Sequence, residues 1–353
     1  MPWDSEKTTD SDLTAPEWNS HVADQKSRAK HYIQNTEPSS PSEGDFWSNL
    51  AITYDTLVWN NTDGIHSGDV YGVGISGTTV YTASRDKTVV ATDIETQTEL
   101  WSHSLHSDWT NTVSESGGVV SSGADDSTVF AVNASDGSKI WEHTLHSGAV
   151  ESVYTTSESV YSASGDGSVI SASVNDGTQN WRHTHHTDTV NMVHEANGTV
   201  VSCASDGTVI AADAADGSKL WSHSLHSGGV IYSVHISDGV VYSGGSGGTV
   251  IAANASDGSE IWRHLIHTDS VYGVSSSDGI VYSGAFDNTI VAFSADSQSQ
   301  VWQKEPYSDA VYDVDATTNY VCVGYNGNTL SVSSLKSSLN LKSYYNGSWV
   351  SIQ

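Results

Sequence analysis

One pattern recurs seven times along most of this chain: a His, then Ser or Thr, then Gly or Asp, then a Val with a second Val three places later. It begins at His66, His106, His146, His186, His226 and His267, and at Tyr307 in a seventh copy that lacks the His. Successive starts lie 40, 40, 40, 40, 41 and 40 residues apart, so each copy is one structural unit of constant size. Within a unit the order is fixed. A strand such as VESV precedes an apolar strand such as VVYSGG, a tight SDGT turn, a strand such as TVIAADA, a DGSK turn and a last strand opening on IW or LW.

Four short β-rich runs separated by Gly, Asp and Asn turns make a four-stranded antiparallel sheet. Such a sheet cannot bury both faces alone, and units of about 40 to 45 residues with four strands read as blades of a propeller. The expected fold is therefore all-β, a seven-bladed β-propeller with four-stranded antiparallel blades, plus a short N-terminal helix. Closing the ring leaves no long strand edge exposed. The segment TLVWNNTDG, with Trp59 seven residues before His66, is predicted to complete the seventh blade; LNLKSYY near the other end is the competing source of that strand.

Two families resemble these units over roughly residues 60 to 335. The stretches AVNASDGSKIW, AADAADGSKLW and AANASDGSEIW resemble the tryptophan-docking repeat of quinoprotein-type propellers. Trp101, Trp141, Trp181, Trp221, Trp262 and Trp302 take its aromatic position, where rings of that size supply buried area between blades. The opening His with an Asp twenty residues later is instead similar to the WD-repeat family, in which the two form a hydrogen-bonded pair. The resemblance implies structural pairs His66 with Asp86, His106 with Asp126, His146 with Asp166, His186 with Asp206, and His267 with Asp287. The seventh unit lacks both partners, having Tyr307 and Gly327; the fifth breaks the rule, with His226 opposite Gly247. Buried polar partners need each other, which accounts for their joint loss.

A second series, His103, His143, His183, His223 and His264, lies two residues after each Trp and so on the same strand face. Each member sits in a different blade, so convergence on a zinc ion is not expected. No metal, cofactor or catalytic residue is assigned. Quinoprotein dehydrogenases carry adjacent cysteines and a calcium cluster, and neither is legible here. HExxH, GxxxxGK and CxxC are all absent. The chain is read as a non-enzyme, with a quinoprotein-like enzyme as the remote alternative. Cys203 and Cys322, each inside an apolar strand, are expected to be buried thiols.

Forty-two acidic against thirteen basic residues give a net charge of −29, which repels nucleic acid and anionic membranes. Neither nucleic-acid binding nor membrane insertion is expected. Only seven Lys or Arg lie between His66 and Leu335, a balance that resembles proteins of salt-loving organisms.

Residues 1–55 stand outside the repeat. SDLTAPEWNSHVADQKSRAKHYIQ is predicted to be a helix, with Thr14 as cap, Pro16 in its first turn and Glu17 closing a capping box. Lys26, Arg28 and Lys30 suit it to an acidic neighbour, or form a solvated face. The linker TEPSSPSEGDFW and the ending LKSYYNGSWVSIQ together resemble the terminal unit of tail-fibre and other virion proteins of tailed viruses, and LTAPEWNSHVADQ is similar to tail-fibre openings in viruses of halophilic archaea. The expected organisation is an anchoring segment over 1–55, a propeller over 56–338 and a C-terminal segment over 339–353 packing with the first.

The resemblance implies a virion surface protein of a haloarchaeal virus, on tail or capsid. Residues 1–55 would bind other virion proteins, and the propeller would bind a host cell-surface protein or glycan. The alternative is a scaffold for protein–protein interaction in the cytoplasm of a halophile; homo-oligomerisation stays open in both. Where the repeat is regular except at a few exposed positions, those positions mark the binding face. They are the third and fifth residues after each opening His and the residue before each turn Asp. Aromatic and Arg residues dominate binding hot spots, so Trp109, Tyr71, Arg85, Tyr272, Phe286 and Tyr312 are the candidate partner contacts, with the tyrosines equally readable as lining the channel or packing between blades.

Overall fold

Alternation of branched residues with Ser, Thr and Ala, cut at regular intervals by Asp-Gly turns, leaves strands as the only regular structure these units can form. The computed structural model describes residues 65–304, 309–326 and 330–334 with their side chains, and the strands His31–Ile33, Phe46–Asn61, Leu330–Tyr345 and Ser348–Ser351 by their backbone. Two compact units divide the chain, residues 54–335 and residues 1–53 with 336–353.

The larger unit is a ring of seven sheets. Blade three shows the plan: Val150–Thr155, Ser159–Ser164, Val169–Ser173 and Gln179–His183 pair in sequence order, all antiparallel. Its second and third strands are buried on both faces, because each sheet is sandwiched between two others, so they read as continuous small and apolar runs. The fourth strand is buried only at Trp181 and His183. Blades one to six each use four consecutive strands. The seventh takes Val311–Ala316, Tyr320–Tyr325 and Leu330–Tyr345 from one end of the chain and Phe46–Asn61 from the other, in that order. Residues 56–61 thus lie in the strand that completes the blade, and LNLKSYY continues its third strand. The Trp59 side chain lies outside the described residues.

First strands of neighbouring blades touch all the way round, from Val70–Ser76 through to Val311–Ala316 and back. Side-chain acceptors stitch these seams. Val153 and Thr155 amides donate to Thr112 Oγ1 and Ser114 Oγ, both at 3.0 Å, and the Val193 amide donates to Ser152 Oγ at 3.3 Å. At the closing seam carboxylates replace hydroxyls: Val73 and Ile75 amides donate to Asp313 Oδ2 and Asp315 Oδ2 at 2.9 Å.

The tryptophans tie the blades farther out. The indole N–H of Trp101, Trp141, Trp181 and Trp221 donates to a carbonyl of the next blade, at Ala134, Val174, Ala214 and Ala255, over 2.7–2.9 Å. Glycine is required opposite: at Gly137, Gly177 and Gly217 the backbone has positive φ, and a Cβ would come within 2.9 Å of that ring.

Antiparallel pairing sorts the loops. Those joining first to second and third to fourth strands emerge at one end of the ring. Those joining second to third strands, and each blade to the next, emerge at the other. The opening His and the turn Asp therefore share an end.

In the smaller unit, His31–Ile33 pairs in parallel with Phe46–Ser48, and Ser348–Ser351 pairs with Lys342–Tyr345. The predicted helix over residues 11–34 is corrected at its last turn, where His31, Tyr32 and Ile33 form a strand, in keeping with the β preference of aromatic and branched residues. The rest of that segment lies outside the described residues. Both cysteines are buried free thiols, and burial pushes each well above the usual thiol range.

Candidate binding face

Five His–Asp couples meet at the end of the ring where the blades connect. The Nδ1-to-carboxylate distances are 3.2 Å for His66–Asp86, 3.3 Å for His267–Asp287, and 3.4 Å for His106–Asp126, His146–Asp166 and His186–Asp206. These are long contacts. Shorter bonds come from hydroxyls: His146 Nδ1 lies 3.1 Å from Ser168 Oγ and Nε2 2.8 Å from Ser162 Oγ, and each of the other four has the matching pair of Ser or Thr partners. The Asp meanwhile gathers backbone amides. Asp166 accepts from Ser147 N at 2.9 Å and Ser168 N at 3.0 Å, pinning the blade-connecting loop to the turn. Burial alone would raise the Asp166 carboxyl, but bonds from the Ser168 hydroxyl and from the Ser147 and Ser168 amides outweigh it and hold it well below the usual range. Burial pushes His146 down to about 4 despite that carboxylate, so it is neutral at pH 7.

The fifth unit departs from this plan. His226 keeps its bond to Ser243 Oγ at 2.9 Å, but the turn carries Gly247 and Gly248. At Gly247, the place of the Asp, a Cβ would meet nothing within 4 Å, whereas one on the following Gly248 would lie 2.0 Å from the His267 carbonyl oxygen.

The second histidine series does share a face with the tryptophans, ring centroids lying 4.9–6.0 Å apart from His103–Trp101 to His264–Trp262. Among the described residues no group of three or more His, Cys, Asp or Glu side chains could hold a metal ion. No helix among them is long and apolar enough to cross a membrane.

The variable positions converge at the same end. In every blade the amide of the residue before the turn donates to the carbonyl of the third residue of the connecting loop: Arg85 to Asp69, Asp125 to Trp109, Gly165 to Ala149, Ser205 to Thr189, Ser246 to Val230, Phe286 to Ser270 and Asn326 to Ala310. That bond brings the fifth-place side chain beside the pre-turn one. Asn111 Nδ2 donates to Asp125 Oδ1 at 2.7 Å, Asn191 Nδ2 to Ser205 Oγ at 3.2 Å, and Tyr272 lies 5.7 Å from Phe286. The seven pairs form a mouth.

All six predicted contact residues fall in one continuous arc of that mouth. Tyr312 stacks on Tyr71 with centroids 4.3 Å apart, and Tyr272 meets Tyr312 edge-on at 6.1 Å. Arg85 hydrogen-bonds the Tyr71 hydroxyl and pairs with Asp69 at 3.3 Å. Its guanidinium carbon sits 4.2 Å from the Tyr71 ring centre and 4.6 Å from that of Trp109. Trp109 is 44% exposed and Phe286 43%, while the tyrosines are half-buried. Burial, then neighbouring Tyr232, pushes the Tyr272 hydroxyl up to about 12, so it stays protonated at pH 7.

Tyr232 extends the arc, stacked on Tyr272 at 4.3 Å, and sequence reasoning missed it. Unit five has one extra residue before its first strand, so counting from His226 misses the fifth place. Aligning instead on the buried Ile231 and Val234 would have found it.

Comparison with known proteins agrees with this architecture. Residues 85–204 and 205–339, well over half of the chain, match the family described as outer membrane protein assembly factor BamB. The chain belongs to that family. Among solved structures it resembles the WD40 β-propeller domain of Doa1, with a TM-score of 0.70, 19% identity, and coverage of 78% of this chain and 96% of that one. It also resembles the computationally designed Ika8 protein, with a TM-score of 0.62, 21% identity, and coverage of 76% and 97%. At those identities the likeness is one of fold alone. No curated protein matches the chain. The mixture of tryptophan-docking and WD-like features read from the sequence thus returns as a BamB family member with a WD40-like fold.

Proposed function

We propose that this BamB family member is a non-catalytic binding propeller that engages a partner protein through the aromatic mouth, acting as an interaction scaffold. What supports this reading is the arc itself. Tyr232, Tyr272, Phe286, Tyr312, Tyr71, Arg85 and Trp109 run side by side across the connecting end of four blades and part of a fifth. Aromatic and Arg side chains in such density, with Trp109 and Phe286 exposed and the others half-buried, are what binding hot spots are made of. The description of its family as an assembly factor favours a protein partner. The narrower reading, a virion surface protein of a haloarchaeal virus that meets its host through the propeller, rests on the terminal segments. Most of these lie outside the described residues, and neither the family nor the similar structures bear on it.

Selection of displayed random peptides, with a glycan array beside it, tests the mouth while leaving the partner's identity open. Ligands selected on the wild type should be lost by Trp109→Ala and Tyr272→Ala and kept by Asp216→Asn at the opposite end. Ligands kept by both mouth variants and lost by substitutions at the opposite end would place the binding surface there.

A further inference from the structure

Around the mouth, the fifth-place residue of blades two and four is an Asn that ties its blade to the next. Asn111 Nδ2 donates to the Val150 carbonyl at 3.2 Å and Asn191 Nδ2 to the Ile231 carbonyl at 2.8 Å. Blade three has Glu151 at that place. An ionised carboxylate has no proton to donate, so it cannot make this tie. Its pre-turn neighbour is Gly165, where the other blades carry Arg85, Asp125, Ser205, Ser246, Phe286 or Asn326. A Cβ built there would sit in ordinary contact, 3.8 Å from Ala149 and 3.9 Å from Glu151 Oε1, so a methyl group would fit and the glycine itself puts no side chain beside the carboxylate. Burial first, then the charge of Asp125, pushes the Glu151 carboxyl up to about 7. A half-buried carboxylate next to a second one is costly unless a cation joins it.

We propose that the exposed aromatic face of the mouth docks a basic polypeptide segment, one of whose Lys or Arg side chains enters the space beside Gly165 and pairs with Glu151. This rests on the reading of the mouth as the binding face and adds the chemistry of the partner. The chain's own Arg85 displays the mode of capture, a guanidinium between the Tyr71 and Trp109 rings with a carboxylate at its edge. Tyr232, Tyr272, Tyr312 and Phe286 span three blades, too wide for one small cation and suited to the side-chain stems of an extended peptide. The net charge of −29 adds long-range attraction. A neutral glycan could stack on the rings but would leave the charges of Glu151 and Asp125 uncompensated.

Calorimetry with the full chain tests this, using an alternating Arg-Gly octapeptide, its Glu-Gly counterpart and maltohexaose. At about 0.15 M salt, charges at the far end of the ring are screened. The Arg-Gly peptide should bind, Glu151→Gln should weaken it about tenfold, and Asp216→Asn, which removes the same charge from the opposite end, should not. Glu151→Gln should melt no lower than the wild type, since its amide can donate as Asn111 does. Equal weakening by both variants would reduce the effect to net charge and overturn the proposal. So would binding of maltohexaose or the Glu-Gly peptide in preference to the Arg-Gly one. If Tyr272→Ala abolishes binding of array-selected ligands while the Arg-Gly peptide does not bind, the mouth stands as the binding face and the basic partner falls. Arg-Gly binding that no mouth variant weakens would overturn both.

Discussion

His146 illustrates how little of a repeated residue's role lies in its most visible partner. The Asp166 carboxylate is 3.4 Å away, whereas two serine hydroxyls lie at 3.1 and 2.8 Å, and the Asp is held by the Ser147 and Ser168 amides, the Ser168 hydroxyl and the Arg182 guanidinium. Replacing either by Ala should cost roughly 1–3 kcal/mol by orphaning buried groups. The double variant should cost less than the sum, as chemical denaturation of the four proteins would measure; strictly additive losses would show the two to be independent. Gly248 makes a harsher prediction. A methyl group there would overlap the His267 carbonyl on a backbone of φ +76°, so Gly248→Ala should lower the melting temperature more than Ala at the open Gly239, which also has positive φ. Equal losses would show that the loop gives way freely.

At the scale of strands and turns, acid stability is set by buried histidines. Burial pushes His146, His226 and His235 down to about 4 and His183 to about 3, from an unfolded value near 6.5. Below pH 6.5 the unfolded chain therefore takes up protons that the folded chain refuses, and the stability present above 6.5 is lost as pH falls through 4. Glu151 and Asp313, each raised to about 7, act oppositely, favouring the fold below their unfolded values and losing that contribution as pH rises through 7. The histidines are more numerous, so melting temperature should fall steadily from pH 6.5 to 4; a flat profile would show that their rings reach solvent. Strand order, the hinge of the fold, was legible because each blade repeats one hydrophobic run and one turn. The hydroxyl partners of the histidines were not, since Ser and Thr are too common here for Ser162 or Ser168 to stand out. Glu151 looked like ordinary variation until the bond from Asn111 to the next blade showed what its place demands.

For the whole ring, closure depends on a seam unlike the hydroxyl-stitched ones. Asp313 and Asp315 take the two amides of blade one, and burial, partly offset by those bonds, pushes Asp313 up to about 7. Asp313→Asn keeps an oxygen for the Val73 amide and removes the buried ionisation. The variant should match the wild type near pH 4 and melt higher at pH 8; an unchanged difference across that range would show the carboxylate to be solvated. The other closing device, the strand Phe46–Asn61 completing the last blade, is legible in the Trp59 spacing, whereas the seam's carboxylates look like those of any acidic strand. With the ring closed, its two ends differ. One end carries the turns of Asp136, Asp176 and Asp216, each fixed by its own Ser or Thr. The other carries the aromatic mouth. Oxidative footprinting of the protein with a saturating selected ligand compares the two ends directly. The account predicts protection of Trp109, Tyr272 and Phe286 with no change at Leu220 on the outer strand; protection confined to Leu220 and its neighbours, with the mouth still oxidised at the free rate, would contradict it.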